Sequence, residues 1–547
     1  MISLLQPENQ TKKYDFLFTD IDTGKIKIPK FQREFVWSKK STAKLIDSII
    51  KGFPIGTFIF WKTKDELRHI KNIGNANLPD VPTGDYVYYV LDGQQRITSL
   101  YAVRKGLRIT VDGKEIDYTD ISIDLSMSPD DEEDIVIIDP SEEIRSVSVY
   151  KLLNGTISDF IDNFTKEELE KIDIYIKRLT SYDFSTIVIA DYPIDIACEV
   201  FTRINTGGQE LTLFEIMVAK TYDEEKNFDL AEKYHHLIYG DDNGSKNLQA
   251  VGFDTIPPSI ILQCISAYLC QQVRRKDILK LSKLDVINSW EVIKDGIFSA
   301  VDYIRSQLRI PVSRLLPYNA ILVPFTYFFI KNNGNNPSAL QNKLLVQYFW
   351  WASLSNRFTS GTEGKIALDL KKMDKILQGI QPDYRGDEIK LSFDDIKWRW
   401  FSTGDAFCRA ILCLYAYQEP KSFETNSIVK LDNSWLKVSN SKNYHHFFPR
   451  SYLTKKAKMP DWQANSILNI TFVDDYLNKR TIGSKSPSTY IDKFSKTNPD
   501  LEDTLKTHLI DDIDTFGIKT DDYELFLEQR GKRVLAELKK RLEPSIP

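Results

Sequence analysis

Between about residue 211 and residue 415 the apolar side chains recur three and four positions apart. LTLFEIMVAKTYDEE, SIILQCISAYLCQQVRR, NAILVPFTYFFIK and KLLVQYFWWASLSNRF all carry the pattern. That spacing lays one apolar stripe along each of a series of helices, whereas a half-buried strand alternates with a period of two. The polar, glycine-rich NNGNNP segment is a loop between two of these helices. Tyr348, Phe349, Trp350 and Trp351 sit inside the pattern and read as core, not as a platform for stacking bases. This helical block sits mid-chain, between two stretches of different pattern.

On the N-terminal side, strands alternate with helices. Residues near 14 to 24 read as a short helix ending at Gly24, and KIKIP reads as a strand. Ser38 is an N-cap for TAKLIDSIIKG, whose Leu45, Ile46, Ile49 and Ile50 share a face. GTFIFWK and DYVYYVL are strands, and the second runs straight into Asp92-Gly93-Gln94-Gln95-Arg96 and a helix that ends at Gly106. A helix N-terminus presents unpaired N–H groups and the positive end of its dipole, so it suits an anion. Gly93 permits close backbone approach, Gln94 and Gln95 supply amides, Arg96 offers a fork for phosphate, and Asp92 a carboxylate for a metal or a water. No GxxxxGK[ST] loop occurs, and a polar cap that merely satisfies a helix end accounts for this junction equally well. Further on, LRITVDG-KEIDYTDISIDL, DIVII and SVSVYKLL read as strands. Helices follow at roughly 156 to 163 and 166 to 180, then the buried strand FSTIVIADY and a helix from Pro193 through Ile204. Arg203 and Asn205 end that helix beside Gly207-Gly208, where the backbone turns sharply.

On the C-terminal side, chemistry concentrates between Lys442 and Tyr490: KNYHHFFPRSYL, then NSILNITF, then DDYLNKRTIGSKSPSTY. His445 and His446 are two of only six histidines. Adjacent residues on a strand point to opposite faces, so one imidazole can hold a metal while the other faces a water. Pro449 ends the ladder. Asn469 and Asn478 follow, with Lys479 and Arg480 behind the second. A hard divalent cation accepts an imidazole and an amide oxygen and keeps several waters. A neutral histidine beside it can take a proton from one of them. These parts fit metal-assisted phosphodiester hydrolysis. Six Lys or Arg and no acidic residue lie between Lys437 and Met459, with Arg450 among them and Tyr444, Phe447, Phe448 and Tyr452 interleaved, which reads as a phosphate-facing patch. The other pair, His235-His236 in AEKYHHLIYG, lacks such companions and reads as surface.

The His445-His446-Phe447-Phe448-Pro449 segment, Asn469 and Asn478-Lys479-Arg480 together resemble the HNH, or ββα-metal, nuclease fold. The resemblance implies His445 and Asn478 as ligands of Mg²⁺ or Mn²⁺, His446 as general base, and Asn469 as a brace for the loop that carries the base. Arg450, Lys479 and Arg480 would meet DNA phosphates. A histidine stands where such enzymes often have Asp or Glu. IPKFQREFVW, VLDGQQRITSL and FTRINTGGQELTLFEI, in that order, resemble the ParB-like domain that forms the N-terminal half of GmrSD-type, modification-dependent (type IV) restriction enzymes. That likeness implies binding and hydrolysis of a nucleoside triphosphate, GTP or ATP. Gln32, Arg33, Asp92, Gly93, Gln94, Gln95, Arg96, Arg203, Asn205, Gly207 and Gly208 would line the pocket. Asp92 would be the group essential to hydrolysis, and Arg33, Arg96 and Arg203 would contact phosphates. Arg357 and the neighbouring SGTEGK turn become a candidate contact between the halves.

The expected organisation is α+β: a ParB-like mixed α/β domain over 1–210, a helical region over 211–420, and an HNH nuclease domain over 421–547. The long amphipathic C-terminal helix YELFLEQRGKRVLAELKKRL should pack back on the last of these. At 547 residues, two or three domains is the prior. No run of about 18 apolar residues predicts a membrane span, and the N-terminus lacks a signal-peptide shape. Five cysteines make no disulfide framework, and Cys264/Cys270 and Cys408/Cys413 lack zinc-site spacing; a cytoplasmic protein is expected. A net charge of −5 does not advertise nucleic-acid binding, so the basic clustering carries that inference. The function expected is a type IV-like restriction endonuclease of phage defence that cleaves or nicks modified DNA under nucleotide control. A homodimer with two sites would cut both strands most easily. The alternatives are a nucleotide-switched DNA-binding protein with little or no nuclease activity, and an RNA-directed toxin using the same metal site.

Overall fold

The alternation of the first 230 residues builds a mixed sheet with helices packed on it. The computed structural model describes residues 6–542 except 30–34, 36, 66, 68, 71, 74–75, 83, 112–113, 129–132, 142, 157, 205–211, 224, 243, 386–388, 390, 434–435, 437–443 and 474–481. The chain divides into two units, Met1–Asp229 and Leu230–Pro547.

In the first unit the elements that matter to the site are β1 (Glu8–Lys13), α1 (Tyr14–Asp22), β2 (Ile26–Pro29), α2 (Lys39–Ile50), β3 (Phe58–Thr63), β4 (His69–Ile70), β5 (Val87–Asp92), α3 (Gln94–Lys105), α4 (Lys166–Thr180), β6 (Asp183–Ala190) and α5 (Ile194–Ile204). The sheet order is β1-β6-β3-β5-β2-β4. β6 runs parallel to β3 and β2 parallel to β5, and the other neighbours are antiparallel. Ser38 caps α2 as its sequence implies, accepting from the Ser41 N–H. Thr165 and Glu168 close a capping box at the start of α4. α3 is central: from Gln94 to Val103 only Arg96 is not fully buried. Its Ser99 hydroxyl meets Thr42 of α2 at 3.1 Å, and its Tyr101 hydroxyl donates to Asp22 of α1 at 2.9 Å. One strand had no expectation from sequence, and one local reading changes. β1, with no apolar residue in ENQTKK, is a strand because it pairs along one edge with β6 and leaves its side chains in solvent. The SVSVYKLL strand stops at Ser148, and Val149–Asn154 is a helix that buries Val149 and Leu152, three residues apart.

The second unit begins with helices, as the periodicity requires. They include α6 (Pro258–Cys270), α7 (Lys283–Ser306), α8 (Leu322–Lys331), α9 (Ala339–Leu354), α10 (Thr362–Leu377) and α11 (Ala406–Tyr417). α8 is apolar almost all round because α6, α7 and α10 pack against it. Tyr348, Phe349, Trp350 and Trp351 are all core. Arg357 is also interior: its guanidinium grips both oxygens of fully buried Asp369, which accepts from Tyr348 and Lys372 as well. All five cysteines are free and helical; four are buried and Cys270 is exposed. His235 and His236 lie on the surface of a helix. Among the described residues no helix is long and apolar enough to cross a membrane.

After α11 come β7 (Tyr444–His446), α12 (Arg450–Lys455), α13 (Asp461–Ala464), β8 (Ile470–Phe472), α14 (Pro487–Ser495), α15 (Leu501–Lys506) and α16 (Tyr523–Leu542). The C-terminal helix α16 does pack back on this region. Phe526 stacks on Phe447 with ring centres 4.9 Å apart. Arg530, fully buried, donates to the carbonyls of Leu468, Ile470 and His508. The α+β class therefore holds, with an α/β N-terminal region and a mostly helical remainder that contains the small β7–β8 pair.

Candidate active site

β7 and β8 run antiparallel, pairing Tyr444 with Phe472, His445 with Thr471 and His446 with Ile470. Residues paired across such a ladder share a face, so the two histidines point to opposite sides. His445 is 3% exposed and shares its face with Thr471. The Thr471 hydroxyl lies 2.5 Å from His508 Nδ1, and His508 Nε2 lies 2.7 Å from the Lys421 carbonyl. A carbonyl only accepts, so Nε2 donates to it and Nδ1 accepts from Thr471. Burial pushes the His508 pKa down to about 3, which keeps that ring neutral.

His446 faces the other way, and its Nε2 is 2.8 Å from Asn465 Oδ1. Burial lowers its pKa below the ordinary value; the Asn465 bond raises it, Arg450 lowers it and Asp461 raises it, in decreasing order. The net direction is downward, so the ring is neutral at physiological pH, the state a general base needs. Arg450 and Asp461 form an ion pair beside it, with the guanidinium 5.7 Å from the centre of the Trp400 ring.

The turn after His446 is gripped by one side chain. Asn469, fully buried, accepts from the Phe448 N–H at 2.8 Å and donates to the Phe448 and Ala464 carbonyls, both at 3.0 Å. Its own carbonyl accepts from the Phe447 N–H at 2.7 Å, and the Tyr490 hydroxyl donates to the Phe447 carbonyl at 2.5 Å. Asn469 thus ties Phe447 and Phe448, directly after the histidine strand, to Ala464 at the end of α13. Asn478, Lys479 and Arg480 lie outside the described residues. Of the three expected phosphate contacts only Arg450 is described, and its guanidinium is engaged by Asp461.

In the first unit Asp92, Gly93, Gln94, Gln95 and Arg96 come together where β5 enters α3. Ile59 pairs with Asp92 and Phe60 with Val90, so Leu91 is an extra residue in β5. Such a bulge re-aims the strand end. Gly93 has φ +93°, and a Cβ there would lie 2.3 Å from Phe58 Cδ1, so no other residue fits. No side chain caps α3, leaving its first amides to other partners. Gln94 and Gln95 are buried in the first turn. Arg96 turns beneath the junction, donating to the carbonyls of Ile55 at 2.7 Å and Thr57 at 3.1 Å and to Asp92 at 2.9 Å, over the Phe58 ring. Arg203 is exposed in the last turn of α5 and pairs with Glu199 at 2.8 Å. Gln32, Arg33, Asn205, Gly207 and Gly208 lie outside the described residues.

Three participants escaped sequence reasoning. Asn465 carries no motif, and the carbonyls of Ile55 and Thr57 are set against Arg96 only by the fold.

Residues 15–222 match the GmrSD restriction endonuclease, N-terminal domain. The first unit therefore carries a domain similar to the N-terminal domain of GmrSD-type restriction enzymes. The GmrSD match covers the whole strand–DGQQR–helix junction and stops just short of the end of the first unit at Asp229. That description is of a restriction endonuclease domain, which suggests a restriction-type function. The chain is also similar to an uncharacterized protein of Methanocaldococcus jannaschii, 23% identical over 94% of this chain and 96% of that one.

Proposed function

We propose that this protein is a GmrSD-type restriction endonuclease that hydrolyses modified DNA with an HNH site in its second unit, under control of a nucleoside triphosphate bound by its first. The observation that carries the reading is the Asn469 brace on the turn after His446, since it ties a neutral histidine on a short strand pair into one rigid frame. His446 takes a proton from water, the water oxygen bonds to phosphorus, the bond from phosphorus to one sugar oxygen breaks, and that oxygen is protonated. Among the described residues no three His, Cys, Asp or Glu side chains converge. By the resemblance, His445 would hold the metal together with the Asn478 amide; one imidazole and one amide suit a divalent ion that keeps most of its waters. Mg²⁺ or Mn²⁺ held there would neutralise charge developing on the phosphate and the leaving oxygen.

In the first unit, the positive end of the α3 dipole and the glycine-only turn before it suit a phosphate group. Asp92 would be the group on which hydrolysis of GTP or ATP depends, while Arg96 holds it in place from below. The test separates the two centres. His446→Ala is expected to abolish cutting and leave nucleotide hydrolysis within about twofold, whereas Asp92→Ala removes hydrolysis and leaves the HNH site intact. Loss of both activities in each single variant, with both proteins folded, would place them in one site and overturn the reading. Nucleotide-dependent DNA retention with no nicking under any divalent ion would leave the nucleotide-switched binding protein.

A further inference from the structure

Asn465 is 5% exposed and belongs to no motif, yet it meets His446 ring to amide. Its amide cannot be turned round. Nδ2 donates to the Phe401 carbonyl at 3.1 Å, and the Asn465 backbone carbonyl accepts from the Phe401 N–H at 2.9 Å, so side chain and backbone are both fixed on the same residue. The Trp400–Ser466 bridge next door holds the two segments in register. With Nδ2 committed, Oδ1 faces His446, and an amide oxygen only accepts. Nε2 must then carry the hydrogen, and the lone pair of the neutral ring falls on Nδ1. Resting on the nuclease reading of His446, we propose that Asn465 is a positioning residue that fixes the tautomer and plane of the general base, so that Nδ1 is the atom that receives the proton. Water then approaches from the Nδ1 edge of the ring. Arg450 and Asp461 are the charged groups beside His446, and their mutual pair leaves the neutral amide of Asn465 as the group bonded to its ring.

The test reads the tautomer directly. The full-length protein is labelled with ¹⁵N histidine, and the ring nitrogens are observed at about pH 8, where a free imidazole is neutral. The His446 signals are assigned among six histidines by their loss in His446→Gln. The expected result is a protonated-type shift at Nε2 and a bare, lone-pair shift at Nδ1, with no averaging. Asn465→Leu, which keeps the volume, should average the two nitrogen shifts and lower kcat for DNA cleavage on the order of 10- to 100-fold at unchanged KM, the share of general-base catalysis that depends on aim. Asn465→Asp, which keeps an acceptor toward Nε2, should restore the single tautomer. A wild-type ring with its hydrogen on Nδ1, or an Asn465→Leu protein that is folded and keeps both the single tautomer and the wild-type kcat, would overturn the proposal. The tautomer is seen whether or not the protein cuts DNA. A correct tautomer in a protein that cleaves nothing under any condition would therefore count against the nuclease reading, and with it against the catalytic part of this proposal.

Discussion

Replacing Asn469 with alanine tests the frame around the histidine strand. The substitution removes three hydrogen bonds at once: the acceptor for the Phe448 N–H and the donors to the Phe448 and Ala464 carbonyls. Asn469 and Phe448 are completely buried, so water does not readily replace what is lost. A buried donor left without a partner costs about 1–3 kcal/mol, and each hydrogen bond contributes about 1 kcal/mol net, so the total comes to roughly 3–4 kcal/mol. Local opening of the turn should then become roughly several hundredfold more frequent. Hydrogen exchange followed by mass spectrometry on a peptide spanning residues 444–449 would detect this as faster deuterium uptake at the Phe448 amide. Peptides from β3 and β5 in the first unit serve as internal controls. DNA cleavage should fall with the turn. Unchanged exchange at Phe448, or cleavage at the wild-type rate, would refute the argument that this side chain braces the site.

Other consequences are as direct. His508 is neutral and buried with a pKa pushed down to about 3, while an unfolded histidine titrates near its ordinary value of about 6.5. Its contribution is complete above about pH 6.5 and is lost at about 1.4 kcal/mol per unit as pH falls toward 3. Urea unfolding at pH 7 and pH 5 should thus show wild type losing about 2 kcal/mol more than His508→Gln; equal losses would sink this account. Arg530→Met leaves the carbonyls of Leu468, Ile470 and His508 without their donor and should cost about 3 kcal/mol or more, seen as a lowered melting transition. Arg530→Lys should not rescue it, since one ammonium cannot span three carbonyls. Arg96→Lys should loosen the β5–α3 junction and weaken nucleotide binding at least tenfold by titration calorimetry, because a lysine cannot reach Ile55, Thr57 and Asp92 together.

Where the sequence spoke through periodicity, it was readable. The helices of the middle region, the Ser38 cap and the β5–Gly93–α3 junction follow from local pattern alone, because each is decided by neighbours a few residues away. β1 was hidden because an edge strand with both faces in solvent needs no apolar residue. SVSVYKLL misled because Val149 suits a strand by propensity, while the burial of Val149 with Leu152 decides for a helix. At the candidate sites, residue types were legible and their partners were not. Arg96 reads as a phosphate fork, yet its guanidinium finds carbonyls about 40 residues upstream. Asn465, 19 residues from His446, has no helical or strand period linking it to the histidine, so only the folded chain brings them together. Arg530 reads as one charge among many on an amphipathic helix, and its burial depends on backbone carbonyls 60 and 62 residues earlier.

The central claim is that His446 is the base of a metal-dependent DNA nuclease. Its most direct measurement is cleavage of modified phage DNA and of unmodified plasmid with Mg²⁺ or Mn²⁺, each with and without GTP or ATP, using wild type and His446→Ala. The account predicts cutting or nicking of the modified DNA alone, dependent on the divalent ion, changed by nucleotide and absent in His446→Ala. Undiminished cutting by a folded His446→Ala protein, or no cutting of either DNA by a wild type that still hydrolyses nucleotide, would contradict it.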